Sequence, residues 1–133
     1  MPGLFTWNEI YSVRHQRLDG QHKRLFEILY ELEDSIDIRG QRMMASMVEE
    51  LVDFFRSHFA AEENAMQQAA YPGYERHRLE HQRLLAHLLE FKRKFDAGTV
   101  AVSSELITFL KTWLQHHILT VDKAYCPYLA QGK

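Results

Sequence analysis

Apolar residues recur along this chain in steps of three and four, the spacing of a buried helical stripe. Leu25, Leu29, Leu32 and Ile36 follow it in a first segment, and Met44, Met47, Leu51 and Phe54 in a second. Leu84, Leu88, Phe91 and Phe95 form a third stripe, and Leu106, Leu110 and Trp113 a fourth. Between the stripes lie the turn-forming stretches Gly40, Tyr71-Pro72-Gly73 and Asp96-Ala97-Gly98-Thr99. The pattern predicts helices over about 20–38, 41–68, 74–96 and 104–121. Asp19 is the expected N-cap of the first, and Ser103 or Ser104 of the fourth. Glu105 then falls in a first turn, where negative charge suits the helix dipole. The connections are short, so neighbouring helices run antiparallel. The expected fold class is therefore all-α, an up-down-up-down four-helix bundle. The arm 1–18 carries Phe5, Trp7, Ile10, Tyr11 and Val13. It is too apolar to stand free and is expected to lie against the bundle. Residues 123–133 are expected to form a C-terminal tail.

The 133 residues suit one domain spanning 1–133, long enough to bury a core without staples. Acidic and basic residues are interspersed and the net charge is −2, which points away from a nucleic-acid surface. No apolar run approaches the roughly 18 residues of a membrane span. The first residues lack the basic-then-apolar pattern of a secretory leader. The single cysteine, Cys126, permits no internal disulfide and is read as a quiet thiol. A cytoplasmic protein is the expectation. The charged runs at 75–78 and 92–94 read as solvated helix faces.

Eight histidines change the picture. Extending each apolar stripe by its own stepping reaches His22 before Leu25, then His58 and Glu62 after Phe54. It reaches His81 and His77 before Leu84, and His117 after Trp113. His87 and His116 fall off the stripes, and His15 lies in the arm. Antiparallel order brings the five inward histidines to one end of the bundle. A buried polar group without a partner costs on the order of 1–3 kcal/mol, and an unpaired carboxylate more. A metal is the simplest way to satisfy five imidazoles and a carboxylate together. His77 and His81 stand one above the other, about 5–6 Å apart at Cβ, and can grip one ion; His58 and Glu62 are paired likewise. These ligands alone suit zinc, copper, nickel or iron. Asp122 lies five residues after His117, about 140° away on an ideal helix, so it joins such a site only where the helix frays or bulges.

The order His22, His58-Phe-Ala-Ala-Glu62, His77-x-x-x-His81, His117-x-x-x-x-Asp122 resembles the hemerythrins, the bacterial ones in particular. Trp7, the segment Asp19-Gly-Gln-His22-Lys-Arg-Leu25, Glu62-Glu63 before Met66, Tyr71-Pro72, and Trp113 four before His117 add to the likeness. The resemblance covers nearly the whole chain. It implies two iron ions: His77, His81 and His117 hold one, His22 and His58 the other, and Glu62 and Asp122 bridge them with an oxygen species. One coordination position is then left open for dioxygen. Leu25, Phe59, Trp113, Leu114, Ile118 and Val121 are the expected apolar wall, each close to a ligand in sequence. The implied function is reversible dioxygen binding for transport, storage or delivery to an oxygen-using enzyme, without a catalytic residue and as a monomer. The alternatives are an oxygen or redox sensor module and a di-iron oxidase or peroxidase. Enzymatic di-iron bundles use more carboxylates, often Glu-x-x-His repeats. Five histidines against two carboxylates favour binding over oxidative attack.

Overall fold

A computed structural model describes residues 7–36 and 41–131. Four long helices, α1 (Gln16–Ser35), α2 (Gln41–Gln68), α3 (Tyr74–Asp96) and α4 (Ser104–His116), carry the bundle. After α4 the chain makes a π-helical turn over His117–Val121, a 3-10 turn over Asp122–Tyr125, and a short helix α5 over Cys126–Gln131. Among the described residues there is no strand, and no helix is long and apolar enough to cross a membrane. Helix α1 packs on α2 and α4, and α2 packs on α3.

The helix ends follow local chemistry. Helix α1 begins earlier than its apolar stripe suggests, at Gln16, and its N-cap is His15, whose Nδ1 accepts from the Leu18 amide. Asp19 is therefore not the cap. Its carboxylate is turned back to the arm, accepting from the Ser12 hydroxyl at 2.6 Å and the Val13 amide at 2.8 Å. Ser103 caps α4 through the Leu106 amide. Helix α3 ends in a pair of bonds, Gly98 amide to Phe95 carbonyl and Thr99 amide to Lys94 carbonyl, which needs the positive φ of Gly98 (80°). Helix α2 ends in the same motif with Ala70 (φ 54°) in the glycine place.

The core is continuous from Leu25, Leu29 and Leu32 of α1 through Val48 and Phe55 of α2 to Ile107 and Leu114 of α4. In α2 and α4 Met44, Leu51 and Leu110 of the expected stripes are buried, but part of each stripe is displaced by one position. Phe55 and Leu114 are fully enclosed, whereas Phe54 and Trp113 are half-buried. Tyr11 and Val13 of the arm are buried and Trp7 packs on the same core, but Ile10 points to solvent. Phe5 lies outside the described residues. Within the segment expected as a tail, residues 123–131 form a turn and a short helix, and Tyr125 and Leu129 join Val13, Leu18 and Met66 in a second apolar cluster. Cys126 closes this region, its thiol donating to the Val13 carbonyl.

Candidate metal centre

His22, His58, Glu62, His77, His81, His117 and Asp122 are all buried, at 2% exposure or less. They come from α1, α2, α3 and the two turns that follow α4, at one end of the bundle. Asp122 reaches them because of the π turn. The Asp122 amide bonds the carbonyl of His117 five residues back, so the helix widens where an ideal turn would have rotated the carboxylate away. His87 and His116 are exposed, as their phase requires.

The seven groups fall into two overlapping sets. Ligand atoms of Glu62, His77, His81, His117 and Asp122 lie within 4.8 Å of one another, and so do those of His22, His58, Glu62 and Asp122. Each carboxylate is divided between the sets. Glu62 turns Oε1 toward His81 Nε2 (3.1 Å) and His77 Nε2 (3.8 Å), and Oε2 toward His22 Nε2 (3.1 Å) and His58 Nε2 (3.4 Å). Asp122 turns Oδ1 toward His77 and His117 (2.9 and 3.0 Å) and Oδ2 toward His22 (3.1 Å).

These distances are not a satisfied hydrogen-bond network. Glu62 Oε1, both Asp122 oxygens and His81 Nε2 have no aligned hydrogen-bond partner despite their burial. His77 Nε2 and His117 Nε2 face each other at 3.1 Å, and one proton at most fits between two such lone pairs. A cation accepts both. Imidazole nitrogens sit about 2.1 Å from a bound first-row metal, so two at right angles are about 3 Å apart. The donor set therefore fits a pair of metal ions sharing two carboxylates.

Outer contacts orient the rings. His81 Nδ1 donates to Glu63 Oε2 at 2.8 Å, His117 Nδ1 to Glu80 Oε1 at 3.2 Å, and His58 Nδ1 to Gln21 Oε1 at 2.7 Å. Each acceptor holds a proton on Nδ1 and so turns Nε2 toward the centre. The hydroxyl of buried Tyr125 donates to Glu62 Oε2 at 2.8 Å. Gln21, Glu63, Glu80 and Tyr125 were not found by the stripe argument. Three of them adjoin an inward residue in sequence, but so does every helical neighbour, and the partner they reach is on another helix.

Burial opposes charge on His22 and His81, yet the carboxylates prevail. Contacts with Asp122 and Glu62 lift His22 to about 10, and Glu62 and Glu63 lift His81 to about 9. Burial raises the Glu62 carboxyl, but the surrounding imidazoles hold it well below its ordinary range. Burial dominates at His58, which is lowered. The centre thus attracts positive charge, which a metal supplies.

Aromatic and aliphatic side chains lie against the imidazoles. Phe59 stacks face to face on His81, with centroids 3.8 Å apart and planes at 5°, and Trp113 stacks on His117 at 4.3 Å. Leu25, Leu114 and Ile118 are buried in the adjoining core. Val121 stands apart, half-buried in a surface cleft with Tyr71, Arg76 and Thr120, because the π turn rotates it outward.

Comparison with known proteins gives the same picture. The hemerythrin HHE cation binding domain matches residues 14–129. The bacteriohemerythrin of Methylococcus capsulatus is 32% identical over 128 residues, covering 96% of this chain and 98% of that protein. The myohemerythrin of Sipunculus nudus is 30% identical, covering 94% and 93%. A crystal structure of wild-type hemerythrin superimposes with a TM-score of 0.92 at 30% identity, covering 96% of this chain and 99% of that one. Sequence, bundle and buried ligand set agree, and this chain belongs to the hemerythrin family.

Proposed function

We propose that this protein binds dioxygen reversibly at a pair of iron ions. In this reading His77, His81 and His117 would hold one iron and His22 and His58 the other, with Glu62 and Asp122 offering an oxygen to each. Iron, when bound, supplies the change of oxidation state and the coordination position that take up dioxygen. The protein supplies the rest. Glu63, Glu80 and Gln21 hold three imidazoles with Nε2 inward. Phe59 and Trp113 cover the outer ring faces of His81 and His117, and Leu25, Leu114 and Ile118 exclude water and stray protons from the same space.

The observation that carries this reading is the division of both buried carboxylates between two sets of imidazoles inside an apolar enclosure. Among the described residues no Glu-x-x-His repeat contributes to the centre, in keeping with binding rather than oxidative chemistry. A monomer in the cytoplasm that carries, stores or delivers dioxygen to an oxygen-consuming enzyme completes the proposal. The test is an anaerobic-to-aerobic optical titration with metal analysis. Two irons per chain and a colour that appears in air and vanishes on deoxygenation are expected. Irreversible bleaching with substrate turnover, or a single zinc indifferent to air, overturns the proposal.

A further inference from the structure

The groups behind the ligands are unlike on the two sides of the centre. Behind the three-histidine position stand two carboxylates, Glu63 on His81 and Glu80 on His117. A carboxylate that accepts from Nδ1–H pushes charge through the ring and makes Nε2 a stronger donor. Behind the two-histidine position, His58 has only the neutral amide of Gln21; His22 Nδ1 has no hydrogen-bond partner, as is also true of His77 Nδ1 on the other side, so the difference lies in the carboxylates. The shared carboxylate is biased the same way. Tyr125 donates its hydroxyl proton to Oε2 of Glu62, the oxygen facing His22 and His58, and leaves Oε1 to the other side. A hydrogen bond to a carboxylate oxygen draws off part of the charge that oxygen offers a cation.

All four contacts therefore act in one direction. We propose that Tyr125, Gln21, Glu63 and Glu80 are positioning residues that make the two metal positions unequal, enriching the three-histidine position and weakening donation at the two-histidine one. Tyr125 is the element that couples them, because it is fully buried, its ring lies parallel to that of His77 (15°, centroids 5.7 Å), and its hydroxyl acts on the bridge itself. The weaker-donor position is left the more electrophilic of the two. This inference rests on the two-metal reading above.

The test is an anaerobic titration of the metal-free full-length protein with cobalt(II), followed by visible absorbance and calorimetry. Two uptake steps are expected, the first tighter. Tyr125→Phe keeps the packing on His77 and should strengthen the second step severalfold while leaving the first unchanged, narrowing the gap. Glu63→Gln should weaken the first step by about 10–100-fold and spare the second. Gln21→Glu should strengthen the second step, and it keeps the question decidable should Tyr125→Phe not fold. Equal steps in the parent protein, or a Tyr125→Phe change that moves both steps alike as a purely structural defect would, overturn the inference and leave the two-metal reading standing. Uptake of one equivalent overturns both.

Discussion

His58 shows what one side chain contributes to the centre. It is one of two imidazoles on its side, and its outer nitrogen, Nδ1, is held by Gln21. His58→Ala is expected to abolish stable two-metal loading, and metal analysis that still finds two irons per chain would refute its assignment. Leu114 is fully enclosed, three residues before His117. Leu114→Ala opens a cavity beside the centre, costs about 2–5 kcal/mol, and is expected to speed autoxidation of the oxygenated protein. An unchanged rate of decay at 25 °C would remove the shielding role given to Leu114. Ala70 presents the opposite opportunity. It is exposed and held at a positive φ that glycine adopts without strain. Ala70→Gly is expected to stabilise the fold by about 1 kcal/mol, read as a higher melting temperature.

Single elements decide how those residues meet. The arm is tied to α1 through Asp19, which receives the Ser12 hydroxyl and the Val13 amide. Hydrogen bonds to a charged acceptor contribute about 1.5–3 kcal/mol. Asp19→Ala is accordingly expected to lower the denaturation midpoint by a stability loss in that range and to loosen residues 7–13, which amide exchange would register. The π turn matters more for the chemistry. A regular α4 continued to 121 places His117 inward and Asp122 outside, whereas the wider turn returns the carboxylate to the centre. It also turns Val121 to the surface. One local change in hydrogen bonding thus brings a second carboxylate to the cluster and leaves Val121 in a surface cleft.

At the scale of the molecule, the centre sets two buried carboxylates among five imidazoles inside a low-dielectric bundle. His22 at about 10 and His81 at about 9 hold protons at pH 7 that an incoming metal must displace. Metal uptake is expected to release protons into a weakly buffered solution, and affinity is expected to fall as pH is lowered. Uptake without proton release would contradict this. Chelation should also lower the melting temperature, since ligand binding to the native state alone adds to its stability. For the metal-free protein the sign follows from raised histidines: their contribution is complete below the ordinary 6.5 and is lost as pH rises through about 9 to 10. Stability of that form should therefore decline across this window, while the loaded form, whose imidazoles no longer titrate there, should not follow it.

The four helices, their antiparallel order and the inward placing of His22, His58, Glu62, His77, His81 and His117 were legible in the chain. Helical periodicity is a local property, and a stripe needs only its own residues to declare its buried face. Its exact rotation was less legible: Phe55 and Leu114, not Phe54 and Trp113, are the enclosed residues of α2 and α4. Two adjacent apolar residues satisfy the same spacing, and only packing against neighbouring helices chooses between them. Asp122 entered through family likeness, because spacing on a regular helix points it elsewhere. Glu63, Glu80, Gln21 and Tyr125 became visible only in three dimensions. Their partners lie 18 to 63 residues away in the chain. A hydrogen bond across helices leaves no period in a sequence; it exists only once the bundle has brought the two faces together.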